Sequence, residues 1–111
     1  MDKLASYRQI ILETLQDYVG GKSSDTAIKR ELVTDTVHDH YQVMRTGWRG
    51  ERRIFGPSIH LDIIDGKIWV QYDGTDRPVV EALLKAGVPK EDIVLGFHPE
   101  NVRQHTGFAV S

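Results

Sequence analysis

Residues 59–72 read IHLDIIDGKIWVQY, and they decide the fold because two alternating runs meet at Asp65-Gly66. An Asp-Gly pair favours a two-residue β-turn, since a type I′ turn needs positive φ at both central positions. With Asp65 and Gly66 there, the predicted pairs are Ile64 with Lys67, Ile63 with Ile68, Asp62 with Trp69, Leu61 with Val70, His60 with Gln71 and Ile59 with Tyr72. The stretch therefore predicts a β-hairpin with a defined register.

This hairpin has one apolar face and one mixed face. The apolar face is suited to the core and holds Ile59, Leu61, Ile63, Ile68, Val70 and Tyr72. The opposite face holds His60, Asp62, Ile64, Lys67, Trp69 and Gln71. A tryptophan and an isoleucine among polar groups indicate a surface that is partly covered, by a loop or by another chain.

Upstream of the hairpin, the pattern predicts a helix and then further strands. Apolar residues recur at spacings of three and four from Asp2 to about Val19, and Gly20-Gly21 ends this helix. Residues 28–36 and 41–46 are typical of strands, with turns predicted at residues 37–40 and 49–51. Gly56-Pro57 is expected to break the third run or to put a bulge or bend in it.

Downstream, Thr75-Asp76-Arg77-Pro78 predicts a helix start, with a hydroxyl or carboxylate cap before the proline. The helix ends at Gly87, and residues 93–97 form a short strand or extended segment. The fold class is therefore α+β: an antiparallel β-meander of about five strands, with the N-terminal helix and the second helix packed on one face.

The composition limits the classes of function. A chain of 111 residues is expected to form one domain, residues 1–111. A net charge of -2 and a pI near 6.2 provide no general attraction for nucleic acid. Cysteine is absent, which removes thiol chemistry. The sequence lacks an apolar run of bilayer length, so we expect a cytoplasmic protein without a membrane segment.

The sequence gives little support for a catalytic site in the hairpin. Asp62 with Asp65-Gly66-Lys67 resembles a nuclease motif, but Asp65 is expected to serve turn geometry. His60 and Asp62 point the same way from one strand, and with His98 or His105 they would suit a metal ion. A small metal-dependent hydrolase or nuclease that uses His60, Asp62 and His98 is thus the alternative function. We predict that the chain is not an enzyme and has no metal or cofactor, and that His38 and His40 are turn residues.

A basic patch surrounds the second predicted turn and comprises Arg45, Arg49, Arg52 and Arg53. Together with Trp48 it would stack on nucleic acid or meet an acidic partner. The other interpretation, which we favour, is a charged turn that protects a sheet edge.

Motifs in order along nearly the whole chain resemble the XisI family. They are Lys3-Leu4 with Tyr7-Arg8, Asp39-His40-Tyr41-Gln42, Gly47-Trp48, residues 59–71, residues 87–98, and Arg103 followed by Thr106, Phe108 and Ala109. The resemblance implies a controlling factor for excision of the fdxN element in filamentous cyanobacteria, acting with XisH in site-specific DNA excision during heterocyst differentiation. In such a system a separate recombinase carries out the recombination, and XisH looks like a relative of nucleases.

This resemblance brings no catalytic residues with it. It implies a non-enzymatic accessory protein that binds a XisH-like partner and meets nucleic acid only indirectly or weakly, with homo-oligomerisation left open. The residues expected to contact the partner are His60, Asp62, Trp69, Gln71, His98 and Trp48.

Overall fold

Helix α1 (Lys3–Gly20) begins the fold of this computed structural model, which describes residues 2–20 and 27–111. Tyr7, Ile11, Leu15 and Tyr18 are buried along one side of α1, as their spacing predicts. Gly20 is the last helical residue. The second glycine of the predicted helix stop, Gly21, lies outside the described residues.

Within the described residues, five strands form one sheet in sequence order: β1 (Ile28–Asp35), β2 (His40–Arg49), β3 (Arg52–Ile64), β4 (Lys67–Asp73) and β5 (Ile93–Leu95). The first four pair as an antiparallel meander. β5 pairs parallel to β4, because helix α2 (Val79–Lys85) crosses between them and returns the chain in the same direction. The predicted α+β class is confirmed, with β5 as a parallel addition to the meander.

The core lies between one sheet face and the two longer helices. Its buried members are Tyr7, Ile11, Leu15, Tyr18, Tyr41, Val43, Ile59, Leu61, Ile63, Ile68, Val70, Val79, Leu83, Val88 and Ile93. The opposite side of the sheet, here called the outer face, carries the mixed residues of the central hairpin. Within the described residues, no helix combines the length and apolarity needed to cross a membrane.

The start of α2 is stabilised by a residue outside the predicted helix start. No side chain caps the helix from Pro78, which occupies the N-cap position. Instead the carboxylate of Asp73, at the end of β4, accepts a hydrogen bond of 2.7 Å from the Val79 backbone N–H. Its other oxygen accepts bonds from the backbone N–H and the hydroxyl of Thr75. The predicted capping role of Thr75 or Asp76 is therefore wrong, and Asp73 provides the cap.

Two β-bulges adjust the register of β3. On one side the pairing shifts between Val43 and Met44, so that Ser58 is the extra residue and follows the Gly56-Pro57 step where a bulge was predicted. On the other side the shift falls between His60 and Leu61, with Gln71 as the extra residue of β4. His60 therefore pairs with Tyr72, not with Gln71. Tyr72, predicted to be in the core, lies opposite His60 and is 47% exposed.

A histidine–aspartate cluster on the outer face

Asp62 is the centre of a polar cluster on the outer face. Only 8% of Asp62 is exposed, and its Oδ1 lies 2.7 Å from the Nδ1 of His40 and 2.7 Å from the Nε2 of His60. Its Oδ2 accepts a bond of 3.2 Å from the amide of Gln71. The carboxylate is thus shared between two imidazoles and one amide.

Strand pairing explains how residues from three strands converge here. His40 of β2 stands directly opposite Asp62 of β3, and Gln42 stands opposite His60. Paired residues of antiparallel strands share a face, so both pairs project outward. The bulge in β4 brings the Gln71 side chain to the same carboxylate.

The chain before β2 is held firmly, which fixes where His40 emerges. Asp39 has a φ of 60°, a left-handed conformation that aspartate tolerates better than most residues. Arg8 of α1 binds its carboxylate with both Nε and Nη2, at 2.8 and 3.1 Å, and the Tyr41 hydroxyl donates to it at 2.7 Å. His40 is therefore the first residue of β2 and has a fixed backbone position. The predicted turn role of His40 is wrong. His38 does lie in the turn and bonds to Asp35.

Hydrogen bonding determines the protonation of the cluster. Burial alone would raise the pKa of the Asp62 carboxyl, but the hydrogen bonds from His40 and His60 outweigh burial and hold that pKa below its usual value. The same hydrogen bond raises the pKa of His40 above its usual value. Asp62 is consequently an anion at neutral pH, and it favours a proton or another cation beside it.

His60 is placed between two oxygen atoms. Its Nε2 faces Asp62 Oδ1, and its Nδ1 lies 3.1 Å from the Oε1 of Gln42. A neutral imidazole has one N–H and one lone pair, so it can donate to only one of these oxygens. The second contact needs a second proton on the ring, a cation in its place, or a turned Gln42 amide that donates its N–H to Nδ1.

The predicted third histidine is not part of this cluster. Within residues 2–20 and 27–111, the one group of three histidine or acidic side chains close enough to share a metal ion is His40, His60 and Asp62. The His98 ring instead lies against that of Phe97, with 4.4 Å between the centroids and an angle of 52° between the ring planes. The hydrolase alternative that named His98 therefore loses that residue. Sequence reasoning missed His40 because its partner lies 22 residues away in another strand.

Trp69 is covered by the chain itself. Helix α3 (Glu100–Arg103) places the Arg103 guanidinium 5.3 Å from the centroid of the Trp69 ring. Beyond α3 the chain returns to the sheet, where Ala109 donates from its N–H to the Ile93 carbonyl. The mixed face was predicted to be partly covered. At Trp69, a C-terminal segment of the same chain provides that cover.

The nuclease-like motif forms the hairpin turn. Asp65 and Gly66 have φ values of 50° and 77°, as a type I′ turn requires, and both are exposed. The four pairs nearest the turn have the predicted register: Ile64 with Lys67, Ile63 with Ile68, Asp62 with Trp69 and Leu61 with Val70. Asp65 has a conformational role, as predicted.

The predicted basic patch is divided between the two faces of the β2–β3 hairpin. Arg53 pairs with Trp48 on the outer face, and Arg49 pairs with Arg52 at the next position, which points the other way. Arg45 and Arg49 line a hollow of about 500 Å³ beside Tyr18. The four arginines therefore do not form one surface.

On the outer face, the position predicted for the basic patch carries an aromatic surface. The Arg53 guanidinium lies 5.2 Å from the Trp48 ring centroid and 5.6 Å from that of Phe55. Trp48 is 52% exposed and Phe55 is 66% exposed. Trp48, Arg53 and Phe55 are called the aromatic tip below. Phe55 was missed in the sequence, although its spacing of two from Arg53 signals a shared face.

Comparison with known proteins agrees with this architecture. The family model described as XisI protein matches residues 1–110. The chain belongs to the XisI family. A crystal structure of a XisI-like protein from Anabaena variabilis ATCC 29413 is similar at 42% identity and a TM-score of 0.90, covering 97% of this chain and 99% of that one.

A second XisI-family structure connects the fold to a named process. It is the fdxN element excision controlling factor XisI from Anabaena variabilis ATCC 29413, at 36% identity and a TM-score of 0.83, covering 99% of this chain and 100% of that one. A comparison with curated protein sequences gives no match. The resemblance deduced from the sequence motifs is confirmed at the level of family and fold.

Proposed function

We propose that this chain is a non-enzymatic controlling factor for site-specific excision of a DNA element, and that it acts by binding a XisH-like partner protein. Membership of the XisI family, together with 36% identity to the fdxN element excision controlling factor, supports the role in excision. The corresponding process is fdxN element excision during heterocyst differentiation in cyanobacteria.

The exposed aromatic tip is the observation that carries the binding role. Trp48 and Phe55 present two large aromatic side chains to solvent, and Arg53 lies close to both rings. Tryptophan, tyrosine and arginine are the residues that most often dominate the free energy of protein–protein binding. The surface continues along the outer face toward the polar cluster of His60, Asp62 and Gln71.

The acidic balance of the chain favours a protein partner over direct contact with DNA. The net charge is -2, which gives the chain no general attraction for the phosphate backbone. We therefore place the chain beside a DNA-processing protein, with nucleic acid contacted indirectly or weakly.

Co-expression with a XisH-like protein and size-exclusion chromatography tests the proposal. We expect the two proteins to elute together at micromolar concentration, and the double variant Trp48→Ala, Phe55→Ala to elute separately from the partner. Val37→Ala is the matched control, because Val37 is 79% exposed and lies in the β1–β2 turn, away from the aromatic tip.

Thermal unfolding of each variant shows whether it is folded before binding is judged. Separate elution of the wild-type chain and the XisH-like protein would overturn the proposed partner. Co-elution that survives the double variant would show that the aromatic tip is not the binding surface.

A further inference from the structure

We propose that His40, His60 and Asp62 form a site for one divalent transition-metal ion, with Zn²⁺ as the representative ion. Each of these residues offers one ligand atom, and the three atoms lie within 4.8 Å of one another. They come from two neighbouring strands of the sheet, which fixes their positions relative to each other. The site lies on the outer face, toward which the proposed partner-binding surface continues.

The donor set determines the class of ion. Two imidazole nitrogens and one carboxylate oxygen suit Zn²⁺, Co²⁺, Ni²⁺ and Fe²⁺, whereas Mg²⁺ and Ca²⁺ prefer oxygen ligands alone. A tetrahedral ion about 2.1 Å from each ligand would separate the ligand atoms by about 3.4 Å. The contacts of 2.7 Å between Asp62 and the histidines would therefore lengthen by about 0.7 Å on binding.

Gln42 and Gln71 flank the cluster, and their hydrogen bonds orient the side chains of His60 and Asp62 for an ion. When His60 donates from Nδ1 to the Oε1 of Gln42, the lone pair of its Nε2 points at the Asp62 carboxylate. Gln71 donates to Oδ2 of the same carboxylate, and Oδ1 faces both histidines. Such outer hydrogen bonds are the arrangement that fixes tautomer and ring orientation in metal sites.

The exposure of these side chains determines how an ion would reach the site and whether a coordination position stays open. The side chain of Asp62 is 12% exposed, whereas the His40 side chain is 55% exposed and borders solvent. An ion can thus enter from the His40 side and lie against the buried carboxylate. Three protein ligands leave at least one coordination position for water or for a side chain of another molecule.

Zinc titration by isothermal calorimetry tests the site on tag-free, full-length protein treated with EDTA and dialysed. We expect one Zn²⁺ per chain. The variant His40→Ala should bind Zn²⁺ more than about 100-fold more weakly, since it lacks a ligand, and Gln42→Ala about 10-fold more weakly, since it lacks an outer hydrogen bond. The matched control His98→Ala removes a histidine outside the cluster and should bind as the wild type does.

His40→Ala is the decisive variant because the half-exposed side chain can be removed without opening the core. It loses one bond to Asp62, so its thermal unfolding without added metal should remain a single cooperative transition at a somewhat lower temperature than that of the wild type. Co²⁺ gives a second readout, since tetrahedral binding produces visible absorption bands that His40→Ala should lack. The proposal is overturned if the wild type takes up no Zn²⁺ at about 100 µM, or if His40→Ala and His98→Ala bind equally.

Discussion

His40 and Asp62 face each other across β2 and β3, with Nδ1 and Oδ1 separated by 2.7 Å. The carboxylate is buried on the outer face, where a second histidine and Gln71 also bond to it. A buried anion is stable only while such partners hold it. The pair thus links two central strands through side chains as well as through the backbone.

Replacing the charge of Asp62 should destabilise the fold. Asp62→Asn keeps the shape of the side chain but weakens the bonds to His40 and His60, so we expect a loss of about 1–3 kcal/mol in the free energy of unfolding. Urea denaturation measures it. Asp65→Asn is the matched control and should change stability by less than about 0.5 kcal/mol, because asparagine tolerates the left-handed turn position equally well. Equal losses in both variants would contradict the role given to Asp62.

Removal of the Asp73 carboxylate should weaken the start of α2. The Val79 N–H and the two donors of Thr75 would lose their acceptor, so Asp73→Ala should cost about 1–2 kcal/mol, as loss of a helix cap does. Asp76→Ala tests the alternative cap suggested by the sequence and should be nearly neutral, since Asp76 is exposed. Thermal unfolding compares the two, and a larger loss for Asp76→Ala would reverse the assignment.

A side chain at Gly47 should force β1 away from β2. A Cβ at this position would lie 2.1 Å from the carbonyl oxygen of Ala27 and 2.8 Å from the Cα of Ile28, both backbone atoms. We expect Gly47→Ala to lose about 1–3 kcal/mol of stability through overpacking. Gly20→Ala is the control, because a Cβ there meets nothing within 4 Å. Guanidinium denaturation should show Gly20→Ala to be at least as stable as the wild type.

Acid should remove a contribution made by Asp92. Burial would raise the pKa of this carboxyl, but bonds from Lys3 and Tyr7 outweigh burial and lower it. A lowered pKa stabilises the fold above the unfolded value of about 3.9, and this stabilisation disappears as the pH falls through the folded value. Asp92→Asn should therefore be less stable than the wild type at pH 7, with the difference closing between about pH 5 and pH 2.

Thermal unfolding across that pH range follows the difference. The neighbouring variant Glu91→Gln controls for net charge and should run parallel to the wild type. A constant difference between Asp92→Asn and the wild type at every pH would show that the carboxylate charge is not responsible.

Features determined by neighbouring residues were predictable from the sequence. Asp65-Gly66 determines its own turn, so the pairs nearest it were predicted correctly. Farther along β4, Asp73 must reach the Val79 N–H on the core side, and the bulge at Gln71 turns it there. That requirement comes from helix α2, which follows β4 in the chain. The alternation of residues within the hairpin therefore does not predict it.

The polar cluster was only half visible in the sequence for a similar reason. His60 and Asp62 are two residues apart in one strand, and their shared face follows from alternation. His40 joins them through the pairing of β2 with β3, which depends on the length of the intervening hairpin and on the bulge at Ser58. Local turn propensity at residues 37–40 favoured the wrong role for it.

The order of strands in the sheet has a consequence for how the chain folds. Each strand of the meander pairs with its predecessor, so the sheet can grow by closing short loops, which are fast steps. The contacts of α1 are distant in sequence: Tyr18 donates to the Arg77 carbonyl and Tyr7 to Asp92. We expect α1 to dock after the sheet has formed. Substitutions that weaken only its docking, such as Ile11→Val, should then accelerate unfolding and leave the refolding rate nearly unchanged.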